Sequence, residues 1–202
     1  MTPHEGEILK LARVLGAPAE RFGYLRQVPL EDLRRFREQV TDVLFDAHLG
    51  VLQRMAAASR LLPAPLLAKM AEVVFGPLLS ARIAGLVDPG RGVEIARRLS
   101  PGFLADVAAE LDPRRASGII VGLPEKLVIA VAKELARRED WLTVARFVEH
   151  LPDTVIVASF GFITDDALVR IAPLLDDQAR IAHVVSLLPE DRLDTIPGDL
   201  AG

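Results

Sequence analysis

The sequence predicts an all-α chain: a superhelical, α-solenoid-like array of short helices at a 12-residue period, preceded by a long N-terminal helix. Three observations carry this. Proline recurs at Pro65, Pro77, Pro89, Pro101 and Pro113. Apolar residues return at fixed offsets from it: Ala71, Ile83, Ile95, Val107 and Ile119 six residues on, and Phe75, Val87, Leu99, Leu111 and Leu123 ten residues on. Half of the residues are hydrophobic but only 5% are aromatic, a composition suited to helix packing rather than sheet.

Each unit is one short helix and a tight corner. Asp88, Ser100 and Asp112 precede their prolines. Such residues cap a helix N-terminus, and proline suits the first helical position, where its missing N–H is not needed. Apolar side chains then return at steps of three and four, as in Phe103, Leu104, Val107, Ala108 and Leu111. Helices this short are marginal alone, so their stability must come from stacking on neighbouring units. Ala84, Ala96, Ala108, Ala116 and Gly118 favour close approach.

Before the array, His4 to Leu15 forms a first helix, stopped by Gly16 and Pro18. Phe22, Tyr24 and Leu25 pin the next segment to the body. A long helix is expected from Pro29 to about residue 61, and Gly50 is the place where it would divide. Residues 1–61 are thus a helical brace, 62–193 the array and 194–202 a flexible tail, together one compact domain. In the second half the unit from Pro124 is four residues longer, about one added turn. Corners then resume at Asp140, Pro152, Thr164, Asp176 and Leu188, with caps expected at Asp140, Thr164 and Asp176. Within 154–162 the β-branched run Val155-Ile156-Val157 opposes the helical register, and register prevails.

There is no cysteine, which excludes disulfides and thiolate chemistry, and no basic-then-apolar leader, so a cytoplasmic location is expected. The longest uncharged stretch, Thr154 to Thr164, is too short for a membrane span. The net charge is −4, and no basic stripe points to nucleic acid. The positive mean hydropathy calls for a large core or for a covered apolar face, as in a homodimer.

Candidate sites are few. Asp165, Asp166, Asp176 and Asp177 open two successive units and could hold magnesium loosely, although acids also favour helix N-termini for electrostatic reasons. Gly90-Arg91-Gly92 and Arg114-Arg115 lie at helix starts, where an anion could sit. Tyr24, His48 and Trp141 are the residues that could line a pocket or interaction surface; Trp141 is expected to lid a groove between helices. With four histidines in all, no catalytic constellation and no resident cofactor is legible.

Short helices opening on Asp-Pro, Ser-Pro or Leu-Pro-Glu and closing on Leu resemble the cytoplasmic N-terminal superhelical domain of MgtE-type magnesium transporters. The segments are Val87 to Leu99, Ser100 to Leu111, Asp112 to Leu123 and Leu187 to Leu193, with Leu188-Pro189-Glu190-Asp191-Arg192 the most typical phrase. The resemblance covers about residues 62–193 and implies a superhelix of short helices. The family's regulatory and membrane modules are not in this chain, so its magnesium-sensing role does not carry over. The leading expectation is a non-enzymatic helical-repeat module that binds a protein partner or itself through residues 30 to 62. A magnesium-responsive regulatory domain and a small-molecule binder or enzyme with a helical pocket are the alternatives.

Overall fold

The computed structural model describes residues 1–189 and Arg192. The expected tail 194–202, and Glu190, Asp191 and Leu193 at the end of the array, lie outside the described residues. All regular structure among the described residues is helical. The brace holds α1 (Pro3–Val14), a 3-10 segment (Ala19–Gln27), α2 (Leu30–Asp46) and α3 (Leu49–Ala58). The array follows as α4 (Ala64–Met70), a π segment (Ala71–Phe75), α5 (Gly76–Ala84), α6 (Pro89–Ala96) and α7 (Pro101–Glu110). A 3-10 turn (Pro113–Ala116) leads into α8 (Ser117–Gly122), α9 (Glu125–Arg137), α10 (Trp141–Val148) and α11 (Asp153–Ser159). Last come α12 (Asp165–Ile171), a 3-10 turn (Ala172–Leu174) and α13 (Gln178–Ser186).

The caps sit where the repeat places them. Asp88 accepts from the Arg91 amide at 3.2 Å, Ser100 from Phe103 at 3.3 Å, Asp112 from Arg114 at 3.1 Å, Asp140 from Thr143 at 3.3 Å and Thr164 from Ala167 at 3.3 Å. Each such bond satisfies one of the donors that a helix start leaves open, worth about 1 kcal/mol. Helices pack on the next but one: α3 on α5, α5 on α7, α7 on α9, α9 on α11, and in a second series α4 on α6 and α6 on α8. Crossings are close because small residues stand at them. A β-carbon on Gly118 would lie 2.9 Å from Pro89, and one on Gly122 2.8 Å from Val93. Residues 153–159 are helical, since the packing of this unit on α9 outweighs the strand propensity of Val155-Ile156-Val157.

Three expectations are corrected. The long helix over 30–61 is two helices, broken at Ala47–His48 rather than at Gly50, which lies within α3. The break lets α2 lie along α1 while α3 packs on α5. Phe45, buried beside it, is held under the Arg115 guanidinium at 3.9 Å. The corner at Gly76 is a wide turn in which the Gly76 amide donates to Ala71 O, five residues back, so the first two units follow without a loop. The cap of α13 is Asp177, whose carboxylate accepts from the Ala179 amide at 2.8 Å; Asp176 turns away to another task.

The helical run Ala64–Ala84 is long and apolar enough by composition to cross a membrane, but a span is not indicated. It carries Lys69, Glu72 and Arg82, and it is interrupted at Gly76. Glu72 accepts from the backbone amide and hydroxyl of Ser100, at 3.0 and 2.9 Å.

Gly76 has φ +70° and ψ 177°, a combination that is essentially glycine-only. A β-carbon there would meet nothing within 4 Å, so the cost of a side chain is purely conformational. Gly76→Ala should destabilise the chain by about 1–3 kcal/mol in urea unfolding. The same change at Gly50, inside α3 and equally unobstructed, should stabilise it by about 1 kcal/mol.

Candidate functional site

The ten apolar positions that define the repeat converge on one cavity. Every residue six or ten places after a repeat proline lines a space of about 330 Å³ between the two series of helices, bounded by residues of α3 to α10. Chain-terminal to it on either side lie true cores. One gathers Ile8, Leu11 and Leu33, and the other Ile163, Ile171, Leu174 and Ile181. In the middle the walls are not closed over. Phe75, Ile83, Val87, Ile95, Leu99, Leu111 and Leu123 are only half-buried. No acid, base or histidine lines the space; its polar side chains are Ser59 and Ser80. Ser59 donates to Ala56 O at 2.6 Å, whereas the buried Ser80 hydroxyl has no partner. Such a space can hold apolar matter, and it offers no group for acid–base or nucleophilic work.

A second cluster closes the brace onto the end of the array. Glu7 and Lys10 of α1 are buried, at 1% and 4% exposure. Lys10 Nζ donates to Glu7 Oε1 at 2.6 Å and to Asp176 Oδ1. Arg37 of α2 donates to Glu7 Oε2 at 2.9 Å and to Asp176 Oδ2 at 3.1 Å. Arg34 lies 3.9 Å from both carboxylates. Burial pushes the Glu7 carboxyl above its ordinary range, and a hydrogen bond shared with Asp176 adds to this, against Lys10 and Arg37. Burial pushes Asp176 up as well, but Lys10, the Glu7 hydrogen bond and Arg37 together hold it down at about 2. Beside this cluster runs a cleft of about 180 Å³ lined by Lys10, Arg13, Arg37, Arg114, Arg146 and Asp176 among others. Its walls carry paired charges of both signs. Arg13, for one, holds Asp140 at 2.9 Å and Thr143 at 2.7 Å. The arrangement is a tertiary clasp.

Arginines also close the ends of helices at long range. Arg91 of α6 donates to Ser59 O at 3.1 Å and to Leu62 O, at the end of α3. Arg146 of α10 donates to Ala109 O at 3.2 Å and to Leu111 O, at the end of α7. Arg180 of α13 donates to Val148 O at 3.0 Å and Leu151 O at 2.9 Å, at the end of α10. Arg192 stands in the same relation to α11, through Phe160 O at 2.7 Å and Ile163 O at 2.9 Å. Each guanidinium thus caps the helix three before it, satisfying carbonyls and facing the negative end of the helix dipole. Burial brings Arg146 down to about 10, partly offset by Asp112, and it stays charged at neutral pH.

The residues singled out in the sequence are scattered. Tyr24 is 70% exposed in the 3-10 segment, and His48 is exposed at the α2–α3 break. Trp141 packs against the C-terminal core with its indole N–H buried and unpaired. None of the three lines the cavity. The four acids go to separate partners: Asp165 to Arg192, Asp166 to Arg170 at 3.0 Å, Asp176 to the clasp, Asp177 to the α13 cap. Among the described residues no three histidine or acidic side chains form a group able to hold a metal ion. Arg91, Arg114 and Arg115 are likewise engaged: Arg91 on carbonyls, Arg114 on Asp112 at 2.8 Å, Arg115 on Asp42 at 2.8 Å. The clasp and the long-range caps were missed in the sequence. The one signal for the latter is position: Arg91 and Arg180 both stand three residues after the side chain that caps their helix.

No protein-family model, curated protein or solved structure matches the chain.

Arg146→Met removes two charge-assisted bonds to carbonyls and should cost about 2–3 kcal/mol in chemical unfolding. Arg146→Lys should recover only part, because an ammonium lacks the planar fork. In the clasp, Lys10→Met should cost about 3 kcal/mol, since Glu7 and Asp176 lose the buried cation they share. The lowered Asp176 stabilises the fold above the ordinary aspartate range, and this is lost as pH falls from about 4 toward 2. Glu7 acts in the opposite sense, its stabilisation fading as pH rises through its raised value. A pH series of urea midpoints should therefore fall in acid for the natural chain and fall less for Asp176→Asn.

Proposed function

We propose that the chain is a non-enzymatic binding module whose interior takes up an apolar small molecule. The observation that carries this is the convergence of the repeated apolar positions on one cavity whose walls stay half-buried. A repeat that needed only to fill its own core would close these side chains on one another, as at both ends of the chain. The volume lies at the low end of about 300–1,000 Å³ typical of small-ligand sites, which are mostly apolar. A lining without titratable groups favours holding or carrying a ligand over transforming it.

The interaction reading has its own support. Val51, Leu61, Leu66, Val73, Val74 and Leu78 are exposed on α3 to α5, with Leu61 at 85% and Val73 at 74%. This surface overlaps the brace segment expected to meet a protein partner or a second copy, and burying it would answer the high mean hydropathy. A magnesium response is less favoured, because cation binding at the four acids would have to displace the arginines and lysine that hold three of them. We keep the resemblance to the MgtE N-terminal domain as a proposal about the array's ancestry and shape, and draw no activity from it.

Thermal unfolding with decane supplied from cyclodextrin tests the proposal. Occupancy at a hundredfold excess over Kd stabilises by about 2.7 kcal/mol, a rise of roughly 5–10 °C for a chain of this size. Val131→Phe, which places a ring into the cavity from its lining, should abolish the rise. No rise in the natural chain, together with a dimer by light scattering, would hand the case to the interaction reading.

A further inference from the structure

We infer that the start of the array, from α3 to α5, is a docking surface for an anionic phospholipid membrane, on which the chain lies with exposed apolar side chains inserted and unpaired cations against the headgroups. This goes beyond the cavity reading and stands whether or not the cavity holds a ligand.

The place follows from packing. The two packing series begin at α3, which packs on α5, and at α4, which packs on α6. The terminal units of such a stack normally present a polar outer face to water. These units instead expose Leu61, Val73 and Val74, at 85%, 74% and 69%, together with Val51, Leu66 and Leu78. Leu66 and Lys69 are exposed one turn apart on α4, and Val51 and Arg54 one turn apart on α3. Each exposed side therefore offers an apolar group beside a cation.

The occupant follows from charge. Between Asp46 and Asp88 the chain has four lysines and arginines, Arg54, Arg60, Lys69 and Arg82, and one acid, Glu72, a net of +3 within a chain of −4. Glu72 is committed to Ser100. None of the four cations makes an ion pair among the described residues. Arg54 and Arg82 reach only backbone carbonyls, Gly50 O at 3.2 Å and Leu44 O at 3.3 Å. Further along the array Arg91, Arg98, Arg114, Arg115, Arg137 and Arg138 each pair with an acid. A second copy would set cations against cations, because a two-fold interface joins the same patch on both subunits. An anionic leaflet supplies the opposite charge, takes up the apolar side chains and lets the long basic ones reach its headgroups. Lys69, Glu72 and Arg82 keep the apolar run Ala64–Ala84 on such a surface rather than across it.

The test is co-sedimentation of the full chain with sucrose-loaded vesicles of phosphatidylcholine, with and without phosphatidylserine. The chain should pellet with the phosphatidylserine vesicles, stay in solution with phosphatidylcholine alone, and be released in part by added salt. Each cation near an anionic leaflet is worth about fivefold in affinity, so Arg60→Gln with Lys69→Gln should weaken binding about 25-fold. Leu61→Ser with Val73→Ser should weaken it about tenfold or more. All four side chains are exposed in the free chain, so urea midpoints should match the natural chain and separate lost binding from lost fold. Equal binding to both vesicles, or binding to neither, overturns the inference. Binding that survives Leu61→Ser with Val73→Ser also overturns it, since the contact would then be electrostatic alone. A concentration-dependent dimer in the absence of lipid, abolished by the same two changes, overturns it as well and gives the surface to a second copy. None of these outcomes touches decane uptake, which tests the cavity separately.

Discussion

Three arginines, Arg91, Arg146 and Arg180, reach from one helix to the carbonyl end of the helix three before it, and the array depends on them. In a helix of seven to ten residues, such as α7, α10 or α11, the four unpaired carbonyls of the last turn are a large share of all its backbone acceptors. The corner that follows is only two residues after α7, four after α10 and five after α11. One planar guanidinium satisfies two carbonyls at once and sets its charge against the negative end of the dipole. Arg91, Arg146 and Arg180 therefore do for helix ends what Asp88, Ser100 and Thr164 do for helix starts. The difference is reach. The starts are closed locally, whereas the ends are closed by residues about thirty positions later.

This division of labour explains why the middle of the chain can remain unfilled. The layers are fixed at their rims by capping bonds and at their crossings by Gly118, Gly122 and the alanines. The side chains pointing inward are then released from the task of holding the layers together, and they line a space instead of interlocking. Where the array meets the brace the solution changes. There the clasp of Glu7, Lys10, Arg37 and Asp176 seals α1 onto the turn before α13. Its two buried members are costly to desolvate, and each is matched by a partner of opposite sign.

The all-α class and most of the corners were legible in the sequence because they rest on local rules. Capping by Asp88, Ser100, Asp112, Asp140 and Thr164 needs only the next three residues, and those residues are in view. The walls of the cavity were legible too, as the ten recurring apolar positions, but the same pattern describes a filled core. Whether Ile95 and Leu99 close on a neighbour or face a gap depends on separations between layers that no spacing along the chain encodes. The break at Ala47–His48 was missed for a related reason. Leu49, Leu52 and Met55 continue the apolar period of α2 without a fault, and only the competing demands of α1 and α5 divide the helix. Asp176 and Asp177 are adjacent and chemically equivalent. Which of them caps was decided by Lys10, 166 residues away. Tyr24, His48 and Trp141 drew notice as rare residue types, and rarity carries no information about place.

That last separation bears on the order in which the molecule is made. A ribosome adding about 5–20 residues per second delivers Asp176 roughly ten to thirty seconds after Lys10. In that interval Lys10 has Glu7, three residues behind it on the same helix, and Arg37 arrives soon afterwards on α2. Until then the nascent brace sets one carboxylate, Glu7, against the cations of Lys10 and Arg37, and Asp176 supplies the second. The array grows one short helix at a time, each new arginine locking the end of a helix already laid down. Asp176 arrives after twelve of these helices and is the latch that ties the turn before α13 back to α1.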